Sequence, residues 1–435
     1  MRRRAALPVL AGAALVILAR PGPTGAQVVA PAAPSAATPA SAVALPTAPQ
    51  DPQVARGRYL AVLGDCEGCH DRPGGPPYAG GLPLNTPFGT IYSVNITQDR
   101  ETGIGAWSAD DFWNAMHKGV RRDGAKLYPA FPYPYFTHVS RAESDALYAY
   151  FRTVAPVSYR PPPNRLPFPF NLRFLVGVWN ALYFKADDRP VSGADSGQHI
   201  VQGLGHCGAC HTPKTFLGGD KTDHALEGGQ LDTWAAPAIN ADPRRGLGSW
   251  STAEVAEYLK NGRNDRANAS ASMAEVVTHS TSQITDADLA AIGDYLRGRP
   301  SHADPVDANF KPDGKVMAAG EAIYVDECAA CHAVDGKAAP GLFPPLPGAA
   351  VTQSTDPTTV IRFILSGAQT VATDAKPTPH SMPSFGWKLT DAQVAAVATY
   401  VRNSWGNVAP AVRPGDVGKI RRKVGQAVQK PSAKV

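Results

Sequence analysis

Apolar residues recur at helical spacing in three stretches, and each follows a helix-start signal. Ser140 to Glu143, Thr285 to Asp288 and Thr390 to Gln393 each set a hydroxyl three positions ahead of a carboxylate or amide, the pattern of a capping box. Behind them come Leu147, Tyr150 and Phe151, then Leu289, Ile292, Tyr295 and Leu296, then Val394, Val397, Tyr400 and Val401, each set on one helical face. A shorter helix is predicted well ahead of each, over 56–63, 197–204 and 320–325. A leading and a closing helix thus alternate three times. The first two repeats share a further block, Gly103-Ile104-Gly105-Ala106-Trp107-Ser108 against Gly246-Leu247-Gly248-Ser249-Trp250-Ser251, whose serines are placed to cap helices starting at Ala109 and Thr252. Trp107 and Trp250 fit either an ordinary core or a cofactor wall.

Between the leading and closing helices of every repeat lies one five-residue motif. It reads Cys66-Glu67-Gly68-Cys69-His70, Cys207-Gly208-Ala209-Cys210-His211 and Cys328-Ala329-Ala330-Cys331-His332, and it uses all six cysteines of the chain. C-x-x-C-H is the attachment pattern of a c-type haem: two thiols add to the porphyrin vinyl groups, and the imidazole ligates the iron. Zinc ribbons set their pairs about 15–20 residues apart, whereas these lie 141 and 121 residues apart. A redox dithiol or a disulfide does not explain a histidine after every pair. The cofactor expected is three covalent haem c groups, held by Cys66, Cys69, Cys207, Cys210, Cys328 and Cys331 with His70, His211 and His332 as proximal ligands.

With 435 residues, the chain calls for two to four domains, and its 41 prolines and 41 glycines call for extensive loops. The divisions expected are 51–155, 191–300 and 316–408 for the haem domains, with linkers at 156–190 and 301–315 and a basic tail at 409–435. The 156–190 linker carries Pro161-Pro162-Pro163 and a strongly apolar run over 168–184, too short and too polar to span a bilayer. It reads as a segment packed on the haem domains or as a docking surface. Residues 1–26 have a positive start, Arg2-Arg3-Arg4, then a short apolar run and small residues, which reads as an export signal cleaved after Ala26. Residues 27–50 hold no charge and read as a disordered Ala/Pro-rich tether.

The net charge of +5 divides unevenly. Four arginines fall in 1–26, and 413–434 is net +6, leaving 27–412 near −5. That is no electrostatic footprint for nucleic acid. Val417, Ile420, Val424 and Val428 interrupt the basic residues of the tail, which suits either a helix adsorbing to anionic lipid or a solvated coil.

Each iron has a second axial position, and methionine is the usual occupant in electron-transfer cytochromes. Met382 lies 50 residues after His332 and Met273 lies 62 after His211, each ahead of its closing helix. Both are expected to be distal ligands. Met317 falls within the third leading helix and reads as a packing residue. The corresponding offset in the first repeat, 61 after His70, falls on Phe131. Met116, His117, His138 or no side chain then remain for the first iron, with Met116 and His138 carried forward as candidates.

Gly203-Leu204-Gly205-His206-Cys207 through Pro213, Met273-Ala274-Glu275-Val276-Val277, Ser384-Phe385-Gly386-Trp387-Lys388-Leu389 and Thr399-Tyr400-Val401-Arg402-Asn403-Ser404-Trp405-Gly406 together carry a resemblance over about 51 to 410. The chain resembles the triple-haem cytochrome c subunit of bacterial membrane-bound alcohol and aldehyde dehydrogenases. The resemblance implies a mainly α fold of three tandem class I cytochrome c domains. It also implies a periplasmic protein attached peripherally to the outer face of the cytoplasmic membrane. Such a subunit takes electrons from a separate dehydrogenase subunit and passes them to ubiquinone. It matches at Met273 and Met382 and departs at Phe131, where the family has methionine. Phe131 and the stretch from Leu166 to Asn171 look more like cytochromes paired with a molybdopterin hydroxylase and its iron–sulfur subunit than with a pyrroloquinoline-quinone dehydrogenase. Two other readings compete: a haem enzyme acting on peroxide at an open first iron, and a free-standing electron carrier.

Overall fold

The fold repeats one helix crossing three times, and a glycine makes each crossing possible. Helices run α1 Pro52–Leu63, α2 Ala109–Lys118, α3 Arg141–Phe151, α4 Leu175–Tyr183, α5 Gly197–Gln202, α6 Thr252–Asn261, α7 Ser272–His279, α8 Asp286–Arg297, α9 Gly314–Glu327, α10 Thr358–Ser366, α11 Asp391–Val401 and α12 Pro414–Gln429. In this computed structural model the described residues are 51–187, 197–231, 233–302 and 310–429. The expected export signal and tether lie outside them. Among the described residues, which are mainly helical, three two-stranded antiparallel pairs occur: β1 Pro83–Thr86 with β2 Gly89–Tyr92, β3 Gly229–Leu231 with β4 Trp234–Ala236, and β5 Ala368–Gln369 with β6 Ser381–Met382. Gln50–Val435 forms one compact unit.

The leading helices α1, α5 and α9 cross the closing helices α3, α8 and α11 backbone to backbone. A Cβ placed on Gly57 would lie 1.9 Å from the Ala146 carbonyl oxygen, one on Gly197 1.9 Å from that of Ala291, and one on Gly320 2.3 Å from that of Ala396. Gly57→Ala should therefore force α1 off α3 and cost about 3 kcal/mol, read as a shifted denaturation midpoint with unchanged slope. The expected capping signals are present, but not equally. Ser140 with Glu143 and Thr390 with Gln393 form complete capping boxes. At α8 the Thr285 side chain accepts from the Asp288 N–H, but the Asp288 carboxylate is turned to the Tyr59 hydroxyl of α1. The third leading helix also begins earlier than its apolar pattern indicates, because Asp313 caps it through the Lys315 and Val316 N–H groups.

The first two repeats share a single core. Leu60, Phe112, Leu147 and Phe151 join Ile200, Leu204, Leu289 and Leu296 in one buried cluster, while Tyr324, Ile361, Val394 and Val401 form a second in the third repeat. Two exchanged contacts bind the first pair. Tyr59 of α1 reaches Asp288 of α8, and His199 of α5 reaches Glu143 of α3, its Nε2 3.0 Å from each carboxylate oxygen. Burial pushes the Glu143 carboxyl up, but hydrogen bonds from His199 and from the Ser140 N–H and hydroxyl outweigh it and leave the group below its usual value. A depressed carboxyl stabilises the fold above its unfolded value and loses that contribution as pH falls through the folded one. Glu143→Gln should cost about 1–3 kcal/mol near neutrality. It should also flatten the acid limb of the stability profile below the ordinary glutamate range, as measured by denaturant titration across pH.

The segment after α3 is tied to the first hairpin. Thr90 and Arg165 exchange backbone hydrogen bonds of 3.0 and 2.8 Å, and Asn95 Nδ2 donates to the Val157 and Tyr159 carbonyls. The basic tail is neither a free coil nor an unattached amphipathic helix over its first turns. Val417 of α12 is fully buried and Ile420 packs on the third core. Arg421 binds Asp391 at 2.7 Å and the Gly386 and Leu389 carbonyls. The apolar positions that suggested lipid are, at this end, used on the chain itself.

Candidate haem sites

Each motif closes in a single helical turn: Cys66–His70, Gly208–His211 and Ala329–His332. Within such a turn the two cysteines and the histidine fall close together, as attachment to one porphyrin requires. None of the six cysteines is in a disulfide. Cys66 and Cys207 pack on the shared core and Cys328 on the third, while Cys331 is exposed. Burial pushes the Cys69 and Cys207 thiols up to about 12 and Cys328 up to about 11, so in the free chain they stay protonated. Among the described residues no set of three or more His, Cys, Asp or Glu side chains is arranged to hold a metal ion. The donor set at each motif, two thiols and one imidazole, fits covalent haem.

The imidazoles are oriented for ligation. His70 Nδ1 lies 2.7 Å from the Val94 carbonyl and His211 Nδ1 2.7 Å from that of Pro237, which fixes the proton on Nδ1 and leaves Nε2 for a metal. The Pro344 carbonyl acts on His332 in the same sense, although His332 Nδ1 makes no hydrogen bond of proper geometry. Burial holds all three rings below the usual imidazole value despite the opposing effect of these carbonyls, so they are neutral near neutrality. Sequence reasoning missed the carbonyl acceptors. A main-chain oxygen can come from any residue, so Val94 and Pro237 left no signal.

The distal candidates separate clearly. Met273 opens α7 and packs with Ala269, Val277 and Val371; Met382 lies in β6 against the third core. Phe131 packs on the shared core, its ring 5.3 Å from Phe136. Met116 of α2 is buried in that core. Aligning Trp107-Ser108 with Trp250-Ser251 puts it opposite Leu259, which packs on the same cluster. His138 has Nδ1 3.9 Å from the Asp187 carboxylate, and burial lowers its pKa. His117 is buried and stacks on Trp113 at 4.3 Å. Met317 is half-buried within α9, as a packing residue would be.

Neighbouring motifs touch through their surroundings. The Tyr135 hydroxyl, from the short helical turn Tyr133–Phe136 just after Phe131, donates to Asp220 and stands where a Cβ on Gly208 would come within 2.6 Å. His279, at the end of the Met273 helix, lies 3.6 Å from Glu67 of the first motif. On the other side Ser270 pairs with Thr370 in a β-bridge, so the loop leading to Met273 abuts the hairpin of Met382. Arg263, buried between them, bonds the His380 ring at 3.0 Å and the Thr378 carbonyl at 3.2 Å. The middle motif therefore has the other two as neighbours.

Comparison with known proteins fixes the family. Residues 317–405 match the cytochrome c family model. The chain is 41% identical over 403 residues to the gluconate 2-dehydrogenase cytochrome c subunit of Pantoea cypripedii, covering 86% of this chain and 90% of that one. It belongs to the cytochrome c subunits of membrane-bound dehydrogenases. The alcohol dehydrogenase (quinone) cytochrome c subunit of Gluconacetobacter polyoxogenes is 38% identical over 392 residues, 85% of this chain and 84% of that one. The fructose dehydrogenase cytochrome subunit of Gluconobacter japonicus is 35% identical over 428 residues, 90% and 85% respectively. As a cytochrome c subunit of such an enzyme, the chain transfers electrons and carries covalent haem c, which disfavours the peroxide-reducing alternative. No helix among the described residues is long and apolar enough to cross a membrane.

Proposed function

We propose that this cytochrome subunit carries three haem c groups, at Cys66/Cys69, Cys207/Cys210 and Cys328/Cys331. His70, His211 and His332 would be proximal ligands, and Met273 and Met382 distal ligands of the second and third. Bound there, each haem supplies a one-electron iron couple. The protein holds the imidazoles neutral and oriented, packs apolar side chains around the attachment cysteines, and keeps successive sites adjacent. The three haem domains would be 51–155, 191–300 and 316–408.

The first site differs. Phe131 stands 61 residues after His70, within one of the offset that gives methionine in the second repeat, and phenylalanine offers no ligand atom. Met116 occupies the core position of Leu259, and His138 faces Asp187. The first haem would then have Met116, His138 or no side chain opposite His70, and Phe131 would supply none.

The subunit receives electrons from a periplasmic dehydrogenase subunit that oxidises an alcohol or aldehyde, and delivers them to ubiquinone while lying peripherally on the membrane. The observation that carries this reading is the repeated donor set, two unpaired thiols beside an oriented imidazole, with adjoining surroundings from one motif to the next. The test is to purify the complex, add the substrate of the catalytic subunit, and follow haem reduction and then ubiquinone reduction. All three haems should reduce; a cytochrome that purifies alone and is reduced by no dehydrogenase overturns the reading. Metal and cofactor assay of the co-purifying subunit separates a molybdopterin hydroxylase, which Phe131 and the Leu166 to Asn171 stretch favour, from a quinoprotein.

A further inference from the structure

The segment between the first two helix pairs turns an apolar face outward. Helix α4 buries Val176 alone, and Phe174 at its N-cap, Val178 and Leu182 stand at four-residue spacing on the opposite side, 69%, 56% and 61% exposed. Phe168 is 78% exposed just ahead of it, and Phe170, partly exposed, lies 4.9 Å from Phe88. Phe216 is 95% exposed in the turn that Gly218 closes onto Thr215. That turn sits against the same surface: the Leu217 carbonyl accepts from Trp179 Nε1 at 2.9 Å, and a Cβ on Gly219 would meet Tyr183 at 2.4 Å.

We propose that this face is where the cytochrome lies on a bilayer bearing anionic headgroups, α4 in the interfacial plane and Phe168 and Phe216 in the acyl boundary. The inference rests on the reading of the chain as part of a membrane-bound dehydrogenase and assigns the surface that reading needs. Three observations select lipid over a protein partner. Residues 165–185 carry Arg165, Arg173 and Lys185 and no acidic residue, with Arg165 and Lys185 exposed at the two ends of the stripe. That is the charge complement of phosphatidylglycerol. The largest side chains project from a turn, a proline-rich bend and the outer side of a helix. A fluid acyl layer accepts such convex shapes, whereas a protein partner would need matching pockets. Trp179 and Tyr183 flank the stripe half-exposed, where amphipathic rings favour the headgroup level. The basic helix α12 is a poorer candidate over its first turns, because Val417 and Ile420 are already packed on the third core.

The test uses full-length holocytochrome and vesicles of equal parts phosphatidylglycerol and phosphatidylcholine, with sedimentation followed by haem absorbance. Wild type should sediment, and less so with phosphatidylcholine alone. The combined variant Phe168→Glu, Phe174→Glu and Phe216→Glu should lose about tenfold or more in partition coefficient with its haem spectrum unchanged. Charge reversal at the exposed Arg422 and Lys423 should weaken binding less. Wild-type partitioning by the triple variant overturns the proposal. So does a variant that still binds vesicles but no longer holds the catalytic subunit, which would mark a protein interface. Substrate-driven haem reduction in detergent, measured on the same proteins, reports separately on the electron-transfer reading.

Discussion

Phe131→Met should convert the first haem from the odd member of the set into one like the other two. If the three haems are ligated as proposed and no side chain reaches the first iron, the wild-type protein should bind carbon monoxide at one haem in three. The substitution puts a thioether 61 residues after His70, against 62 between His211 and Met273 in the second repeat. Carbon monoxide binding should then fall towards zero, the sulfur-to-iron charge-transfer band should gain intensity, and the lowest midpoint potential should rise. Axial ligation sets haem potentials over a range of roughly 0.8 V, and methionine lies at the raising end of it. Phe131 packs on the edge of the shared core, so the change is close to volume-conserving and stability should move by less than about 1.5 kcal/mol. Unchanged potentials and unchanged carbon monoxide binding would mean that Met116 or His138 already occupies the position.

The second large effect concerns the middle motif. Cys207→Ala with Cys210→Ala should remove one haem of three, read as the pyridine haemochrome absorbance per chain. The consequence should exceed one third. The middle motif is the one with both others as neighbours, through Tyr135 and Asp220 on one side and the Ser270–Thr370 bridge on the other. Its loss should leave the site nearest the dehydrogenase reducible by substrate while abolishing ubiquinone reduction. The same pair of changes at Cys328 and Cys331 should remove one haem and leave the first two spectroscopically intact, since the third repeat has its own core. At Cys207 the repeats share one core, so some loss of stability should accompany the haem.

Much of this was legible in the chain because its determinants are local. A capping box, a stripe of apolar residues and a five-residue attachment motif all act within one or two helical turns, so the closing helices, their starts at Ser140 and Thr390, and the three motifs could be read residue by residue. Met273 and Met382 could be nominated because the repeats give each an offset from its own histidine. The leading helices were less clear. Their packing surface is a glycine, and Gly57, Gly197 and Gly320 mark a close approach only once Ala146, Ala291 and Ala396 are known to lie against them.

What needed tertiary structure was every choice made between distant segments. The pairing of Tyr59 with Asp288 and of His199 with Glu143 joins positions 229 and 56 apart, and no periodicity encodes such a partner. The acceptors for His70 and His211 are main-chain oxygens, which all residues carry. The apolar spacing of α12 and that of α4 look alike in the sequence, yet α12 buries Val417 in the third core while α4 leaves Phe174, Val178 and Leu182 outside. Sequence determined that three haem-attachment motifs recur, each between a leading and a closing helix, because covalent chemistry and helix formation depend on neighbours along the chain. Tertiary structure decided which motifs adjoin, which histidines are engaged elsewhere and which apolar face stays open, because those depend on which surfaces have already been used.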